Sequence, residues 1–507
     1  MSSEIKKMSN EKSDKEIAKN KTMNNSIENK LDQIENSNLY PFHMPGHKRR
    51  PINSQLASAY VRDITEIDGF DNLHHPTDFI RLEEEFAAKL FGADESFYLI
   101  NGSSCGILAA IQSISNAPGR LLVARNCHKS VFNALYLTGK EADYVYPEWN
   151  ETYPFNGSAC VDQIEKMIRQ GSYAGVVLTS PTYEGIVSDI EKICALAHSY
   201  HIPVVVDEAH GAHLGIWGGD GFFPKSAIQC GADIVIQSTH KTLPAMTQTA
   251  LLHVQGDLVD RKVLKHHLTI FQSSSPSYIL MESISDALHF CAEKKHELAE
   301  AYKKQLEDFY NKTISLKNLY LFSNQNMQDS FAYDFDPGKL VICIRDNIDM
   351  TGKQLGCLFR EKYQLQMEME EEHYVIAMTS VMDTKEGFQR LLTALWETDR
   401  ELSDKLSDRK RENGYITKKR PFPYSGTRLT IRDAMGSQSR EYILKDAKDK
   451  ISAEFIYLYP PGIPLIVPGE QITQEVLDYL TEKDDAGLSI QGPAKIDQGI
   501  IACVSDE

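Results

Sequence analysis

No stretch of the 507-residue chain approaches the roughly 18 consecutive apolar residues that a membrane-spanning helix needs. The N-terminus lacks an apolar core segment and a small-residue cleavage site, which argues against a secretory signal. None of the nine cysteines forms a C-x-x-C pair, so neither a disulfide framework nor a zinc ribbon is indicated, and a reducing cytoplasm fits best. Basic residues are too few to balance the acidic ones, 54 against 71, leaving a net charge of −17. A surface of that sign repels phosphate backbones and anionic lipid, so no nucleic-acid or membrane partner is expected. Nucleoside-phosphate motifs are missing as well: no Gly-Lys-Ser/Thr closes a phosphate loop, and the dinucleotide glycine spacing is absent. The 16 histidines do not form a metal site. Pro45-Gly46 prevents a helix from aligning His43 with His47, and His210 and His213 have no third ligand at a recognisable distance. No repeat recurs at a 20–50 residue period.

What is present is ordinary globular material, 42% apolar and 25% charged, enough to fill several cores. Residues 1–38 are rich in Lys, Glu, Asn and Ser and read as a polar, disordered tail, in which Ile27, Leu31 and Ile34 keep only partial helical spacing. A helix is predicted from Arg81 to Phe91, ended by Gly92. Then follow short runs that are nearly all apolar rather than alternating, Ser96–Ile100, Leu121–Ala124, Ala174–Thr179, Pro203–Asp207, Ala232–Gln237 and Thr249–Val254, with helical segments among them. Strands that do not alternate are strands buried on both faces, so the fold class is α/β with a mostly parallel sheet. A long helical stretch, 277–317, leads into a smaller α+β region containing strands at 341–345 and 374–379 and a helix at 385–396. The run Glu368-Met369-Glu370-Glu371-Glu372 reads as a solvated strand edge or turn, and 400–419 as a charged linker. The expected division is a tail at 1–38, a large domain at 39–315, a small one at 316–410 and a C-terminal α+β unit at 411–507.

Polar clusters sit just after the predicted strands, at Asn101-Gly102-Ser103-Ser104, Asn126-Cys127-His128, Ser180-Pro181-Thr182, Asp207-Glu208-Ala209-His210 and Ser238-Thr239-His240-Lys241. Ligands of open α/β sheets lie beyond the carboxyl ends of the strands, so these clusters define one site. Lys241 would be an amine held among apolar neighbours, with a depressed pKa and the ability to form a Schiff base. Asp207 precedes it by 34 residues, room for one helix and the next strand. A carboxylate at that depth can pair with a protonated pyridine nitrogen, which points to pyridoxal 5'-phosphate as electron sink. Ser103, Ser104 and Cys105 open a helix after a strand, an arrangement suited to a phosphate. His128 can lay a flat imidazole on a cofactor ring.

The combination resembles the fold-type-I ornithine/lysine/arginine decarboxylases. The resemblance is carried by Pro41-Phe42-His43-Met44-Pro45-Gly46-His47-Lys48, Asp63-Ile64-Thr65-Glu66, Asn72-Leu73-His74, Asn101-Gly102-Ser103 and Arg125-Asn126-Cys127-His128-Lys129-Ser130. It continues through Ser180-Pro181-Thr182-Tyr183, the Asp207–His213 and Ser238–Lys241 segments, Gln272–Tyr278, Ile451-Ser452-Ala453-Glu454 and Tyr459-Pro460-Pro461-Gly462-Ile463-Pro464…Pro468-Gly469-Glu470. It spans roughly residues 39–495 and is that of the shorter form, without an N-terminal wing.

The resemblance implies an aspartate-aminotransferase-like large domain and α-decarboxylation of arginine or lysine, with ornithine less favoured. It implies that Lys241 carries the cofactor, Asp207 pairs with the pyridine nitrogen and His128 stacks on the ring. Ser238 and His240 would hold the phosphate with Ser103, Ser104 and the Cys105 backbone, and His210 joins the cofactor-binding set. It further implies a homodimer, or a higher homo-oligomer, with shared sites, in which the Ser273–Ser275 segment with Ser274 at its centre reaches the neighbouring subunit's cofactor. Cys105 departs from the usual Ser or Thr, and Ala447-Lys448-Asp449-Lys450 departs from Ala-x-Gly-Arg.

For the substrate's cationic end the candidate acids are Glu184, Glu454 and Glu470. An aminotransferase or aldolase-type enzyme is the competing reading, with Arg428 and Arg432 as candidate clamps for an α-carboxylate. A catalytically inactive relative acting as a binding or regulatory protein is the third; the presence of both Lys241 and Asp207 speaks against it.

Overall fold

The computed structural model describes residues 26–37, 44–45, 47–51, 54–327, 331–408, 421–458, 462–485 and 487–505. Residues 1–25, most of the Pro41–Gly46 motif, and the turn residues 459–461 lie outside them. The strands of the large sheet are β1 (Glu95–Leu99), β2 (Arg120–Ala124), β3 (Ala142–Val145), β4 (Tyr173–Thr179), β6 (Val204–Asp207), β7 (Ile234–Gln237) and β8 (Ala250–Val254). Their spatial order is β1-β8-β7-β6-β4-β2-β3, and β8 runs against both its neighbours. The pairings β2–β3, β2–β4, β4–β6 and β6–β7 are parallel. Parallel strands need crossovers, and helices such as Gly102–Ile114, Lys129–Thr138 and Ile190–His198 supply them and cover the faces. Gly106 shows how tightly: a Cβ there would lie 2.6 Å from Leu99 Cδ1 and 3.2 Å from Ile236 Cγ2, so only glycine lets this helix settle on β1 and β7. Strand β3, an edge strand only partly buried, carries too little apolar signal to stand out in the sequence.

The N-terminal expectation needs correction. Ile27–Glu35 is a helix whose Ile27, Leu31 and Ile34 are buried in the main core, and Ser26 caps it by accepting the Asn29 N–H at 3.3 Å. It lies against the helix Tyr278–Glu293, and Arg62 ties the two together by pairing with both Asp32 and Glu282. Three apolar residues spaced four and three apart make one narrow stripe, which a partner surface far along the chain turns into a packed helix.

A short pair, β5 (Ile186–Val187) with β10 (Asp334–Phe335), connects the large sheet's crossover region to the second region. There, β9 (Leu319–Leu321), β11 (Lys339–Ile344), β12 (Met369–Glu370) and β13 (Tyr374–Met378) form an antiparallel sheet in the order β12-β13-β11-β9. The buried Asp399 carboxylate accepts the N–H groups of Lys317, Asn318 and Leu319, pinning the start of β9 to the long helix Lys385–Asp408. That helix continues through residues 400–408, where a linker was expected, and Leu402 is buried on it. The acidic run is an edge strand, β12, leading into a turn, as expected, but it is not solvated throughout. Glu372 is buried, and Lys483 of the helix Gln474–Asp485 pairs with Glu371 at 3.4 Å and Glu372 at 3.3 Å.

The C-terminal unit has its own apolar cluster, including Ile456, Leu465, Ile466, Val476 and Ile501. Its strands are β14 (Ser439–Ile443) with β18 (Ile500–Val504), and β15 (Ile456–Leu458) between β16 (Pro464–Ile466) and β17 (Ile490–Gln491). It is fastened to the large sheet by Arg125, which follows β2 and is 0% exposed. The guanidinium donates to Glu470 at 3.0 and 2.8 Å and to the carbonyls of Pro464 and Leu465 at 2.6 and 3.0 Å. Phe132, Tyr144 and Phe422 surround it with their rings. Glu470, a candidate substrate ligand on sequence grounds, is therefore a structural anion: it is 0% exposed and also accepts the Val467 N–H. Removing one member of a buried pair leaves the other charge uncompensated. Glu470→Gln is expected to destabilise the protein by about 3–5 kcal/mol, read from its urea unfolding midpoint. A loss below about 1 kcal/mol would mean the pair does not hold the C-terminal unit in place.

Candidate active site

Because β2, β4, β6 and β7 are parallel neighbours, their carboxyl ends open on one edge of the sheet, and the expected polar clusters meet there. Asp207 ends β6, in register with Thr179 on one side and Ile236 on the other. It is buried, and its Oδ1 accepts the Ala209 N–H at 3.1 Å. Burial pushes its carboxyl up, opposed by the positive charge of Lys241. Lys241 lies in the short helix Thr239–Thr242 directly after β7 and is half-buried. Burial lowers its amine, while Asp207 and Glu368 pull it back up. His128 caps the helix Lys129–Thr138, its Nδ1 accepting the Ser130 N–H at 3.3 Å. Burial first, then the charges of Lys241 and Lys129, lower His128 to about 4, so its ring is neutral.

His210 stands between two amines. Its Nε2 lies 2.9 Å from Lys241 Nζ and its Nδ1 lies 3.2 Å from Lys339 Nζ. Lys339 comes from the first position of β11, is 1% exposed, and is lowered to about 8, chiefly by burial. Beyond it, the buried Asp336 pairs with His213 at 3.2 Å and accepts the Gly338 N–H at 2.9 Å. Tyr183 packs its ring 4.4 Å from that of His210, centroid to centroid, and its hydroxyl donates to Glu368. Sequence reasoning missed Lys339, Asp336, Tyr183 and Glu368 as members of this site. Asp336-Pro337-Gly338-Lys339 carries only a turn signal, and nothing local says that the turn lands beside His210.

On the other side lies the start of the helix Gly102–Ile114. Gly102 takes a φ of +76°, a conformation L side chains rarely adopt, and Asn101 gives the helix no side-chain cap. Ser103 is half-buried and Ser104 exposed on this first turn. Cys105 is buried, donates its thiol to the Gly102 carbonyl at 3.0 Å, and is pushed up to about 12 by burial, so it is an inert thiol. The Ser238 hydroxyl is fully buried and has no hydrogen-bond partner. His240 donates Nδ1–H to the Thr249 carbonyl at 2.7 Å, which leaves Nε2 for the site. Ser274 and its neighbours Ser273 and Ser275 are exposed, in a segment anchored through the Ser273 N–H to Asn101 Oδ1 at 3.0 Å.

An acidic pocket adjoins the cleft, lined among others by Asn126, Glu184, Glu371, Glu372, Tyr374 and Lys483. Of the three candidate substrate acids, only Glu184 faces it. Its carboxylate accepts hydroxyls from Thr182 at 2.9 Å and Tyr374 at 2.8 Å, and burial pushes it up. Glu454 instead accepts the N–H groups of Ala494 and Ala502, at 3.1 and 2.8 Å, which gives it a structural place within the C-terminal unit. Arg428 and Arg432 are exposed and bonded elsewhere, Arg428 to Gln471 and Arg432 to the carbonyls of Tyr136 and Leu137, so neither clamps a carboxylate here.

Two family models match the chain: the Orn/Lys/Arg decarboxylase major domain over residues 27–346 and the C-terminal domain of the same family over 423–503. The arginine decarboxylase of Bacillus anthracis is 32% identical, over 91% of this chain and 93% of its own. That of Bacillus subtilis is 30% identical, over 89% and 92%. Among solved structures, the Francisella novicida lysine decarboxylase superposes with a TM-score of 0.78 at 21% identity, covering 95% of this chain and 81% of that one, which is a likeness of fold. No helix among the described residues is long and apolar enough to cross a membrane. The strand-end site and these matches agree: the chain belongs to the Orn/Lys/Arg decarboxylase family and is a carboxy-lyase.

Proposed function

We propose that the protein decarboxylates arginine at its α-carbon with pyridoxal 5'-phosphate as cofactor, lysine being the second substrate and ornithine the third. The residues present fit that cofactor. The unpartnered, buried Ser238 hydroxyl and the uncapped helix start at Gly102 suit a phosphate, with Ser103, Ser104, His240 and the Cys105 backbone beside them. Asp207 is a buried carboxylate that gains a partner when it meets a cationic ring nitrogen, and Lys241 is the amine that would carry the cofactor. When bound, pyridoxal phosphate supplies an electron sink for the pair left by departing carbon dioxide.

The chain's own residues do the rest. Asp207 would hold a proton on the ring nitrogen. The neutral His128 would stack its flat face on the cofactor ring and help orient the substrate for loss of its α-carboxylate. When not carrying the cofactor, Lys241 would serve as base and proton donor toward the reacting carbon. Exposed Ser273–Ser275 would complete the site of a neighbouring subunit in a homodimer. The cytoplasm is the proposed location, in keeping with nine cysteines of which none forms a disulfide.

The observation that carries the substrate assignment is the acidic pocket. Four carboxylates, Glu184, Glu371, Glu372 and Glu482, line it against the ammonium of Lys483, a balance suited to a long cationic side chain. Arginine is placed first because the relatives named arginine decarboxylase match across most of the chain at 30–32% identity, whereas the constitutive lysine decarboxylase of Escherichia coli is 23% identical over 78% of it.

Carbon dioxide and amine release from arginine, lysine, ornithine and leucine, with keto-acid formation followed alongside, tests the reading. Arginine is expected to turn over fastest, and Glu184→Gln to lower its kcat/KM about tenfold with the cofactor absorbance unchanged. Equal turnover of leucine, or keto acid as the main product, would refute it. Asp207→Asn is expected to lower turnover at least about 100-fold. Its effect on folding should be the opposite. A carboxyl raised by burial costs the cofactor-free fold stability as pH rises from its unfolded to its folded pKa, so the Asn variant should melt no lower than wild type at neutral pH. A clear drop in its cofactor-free melting temperature would show that Asp207 is held for the fold.

A further inference from the structure

His210 is driven far below the ordinary histidine range by burial and by the amines flanking it, so its ring is neutral. A neutral imidazole has one N–H and one lone pair, and an ammonium has donors only. With Lys241 at 2.9 Å from Nε2 and Lys339 at 3.2 Å from Nδ1, one amine can donate as an ammonium, and the other must be a free amine accepting from the ring. The row therefore holds at least one neutral amine, and when it carries one excess proton it holds one ammonium and one neutral amine. Moving two protons one step along it exchanges the ends. A Lys241 N–H bond breaks as that proton joins His210 Nε2, and the Nδ1 proton passes to Lys339 Nζ, with no net change in charge.

We propose that Lys339, acting through His210, is a positioning residue that takes up the charge of Lys241 and leaves Lys241 as a free amine. Lys339 is the suitable end for that charge. It is 1% exposed and faces the buried Asp336, whose carboxylate is kept ionised by His213 and by Lys339 itself. The other groups facing the row are Asp207 and Glu368 beside Lys241, Glu368 beside Lys339, and His128 and His240 beside His210. A free amine is what a nucleophilic lysine needs, and His210 Nε2 is the base within hydrogen-bond distance of Lys241 Nζ. The proposal rests on Lys241 being the lysine that carries the cofactor.

The test uses the full chain stripped of pyridoxal phosphate, with Lys241 acetylation by acetic anhydride followed against pH by peptide mass spectrometry. Lys339→Met is expected to raise the midpoint by about one pH unit, that is about tenfold less labelling at neutral pH. Lys339→Arg, a fixed cation that still donates to Nδ1, should keep the midpoint at or below wild type. His210→Phe separates coupling through the ring from simple repulsion: it keeps the Lys339 charge but removes the ring N–H that holds Lys241 as a free amine, and is expected to shift the midpoint as Lys339→Met does. If Lys339→Met fails to fold by circular dichroism, the arginine and phenylalanine variants decide. A His210→Phe midpoint equal to wild type, or one midpoint shared by all variants, would overturn the relay. Protection of Lys241 by added pyridoxal phosphate is scored separately. Its absence would count against the parent reading, and its presence with unmoved midpoints against the relay alone.

Discussion

A buried carboxylate at the end of one strand and a half-buried amine just past the end of the next are the constraint around which this molecule is built. Neither Asp207 nor Lys241 has in this chain the full set of partners that its charge calls for, and burial moves both away from their ionised forms. Such an arrangement lowers stability and persists only where surrounding structure fixes it. Here the fixing is done by a sheet whose central strands β4, β6 and β7 are buried along nearly their whole length, and by helices seated closely enough that Gly106 has no room for a side chain.

Three separate contacts bring the rest of the chain to that edge. The β5–β10 pairing leads to Asp336 and Lys339 and so places a second amine behind His210. The Lys483 pairs with Glu371 and Glu372 join the C-terminal helix to the edge of the second sheet and give the neighbouring pocket its charge balance. Arg125, at the end of β2, locks the C-terminal unit through Glu470 within a few residues of His128. Each joins segments more than a hundred residues apart, and each ends close to a residue of the site.

That separation explains what could be read from the sequence. The strands β4, β6 and β7 announce themselves as apolar runs, and the polar residues following them are positioned by sheet geometry alone, so Asp207, Lys241, His128 and Ser238 were legible. Glu184 was legible for the same reason, three residues past the Ser180-Pro181 turn. Glu470 and Glu454 carry the same local signal as Glu184 yet serve the fold, because their partners, Arg125 and the amides of Ala494 and Ala502, are set by tertiary packing. Lys339 was illegible for the converse reason: a lysine after a Pro-Gly turn reads as surface until β11 is seen to enter beside His210. The helix at Ile27–Glu35 was missed because its three apolar residues are few among polar ones, and only the receiving surface makes them a core.

Borohydride reduction of the purified, coloured protein followed by peptide mapping tests the central claim most directly, because it locks the cofactor onto whichever amine carries it. Lys241 and Lys339 flank the same imidazole, so both are plausible on distance alone. The pyridoxyl group is expected on Lys241, in the peptide that follows β7. Finding it on Lys339, or finding no modified lysine in protein that still releases carbon dioxide from arginine, would contradict the account.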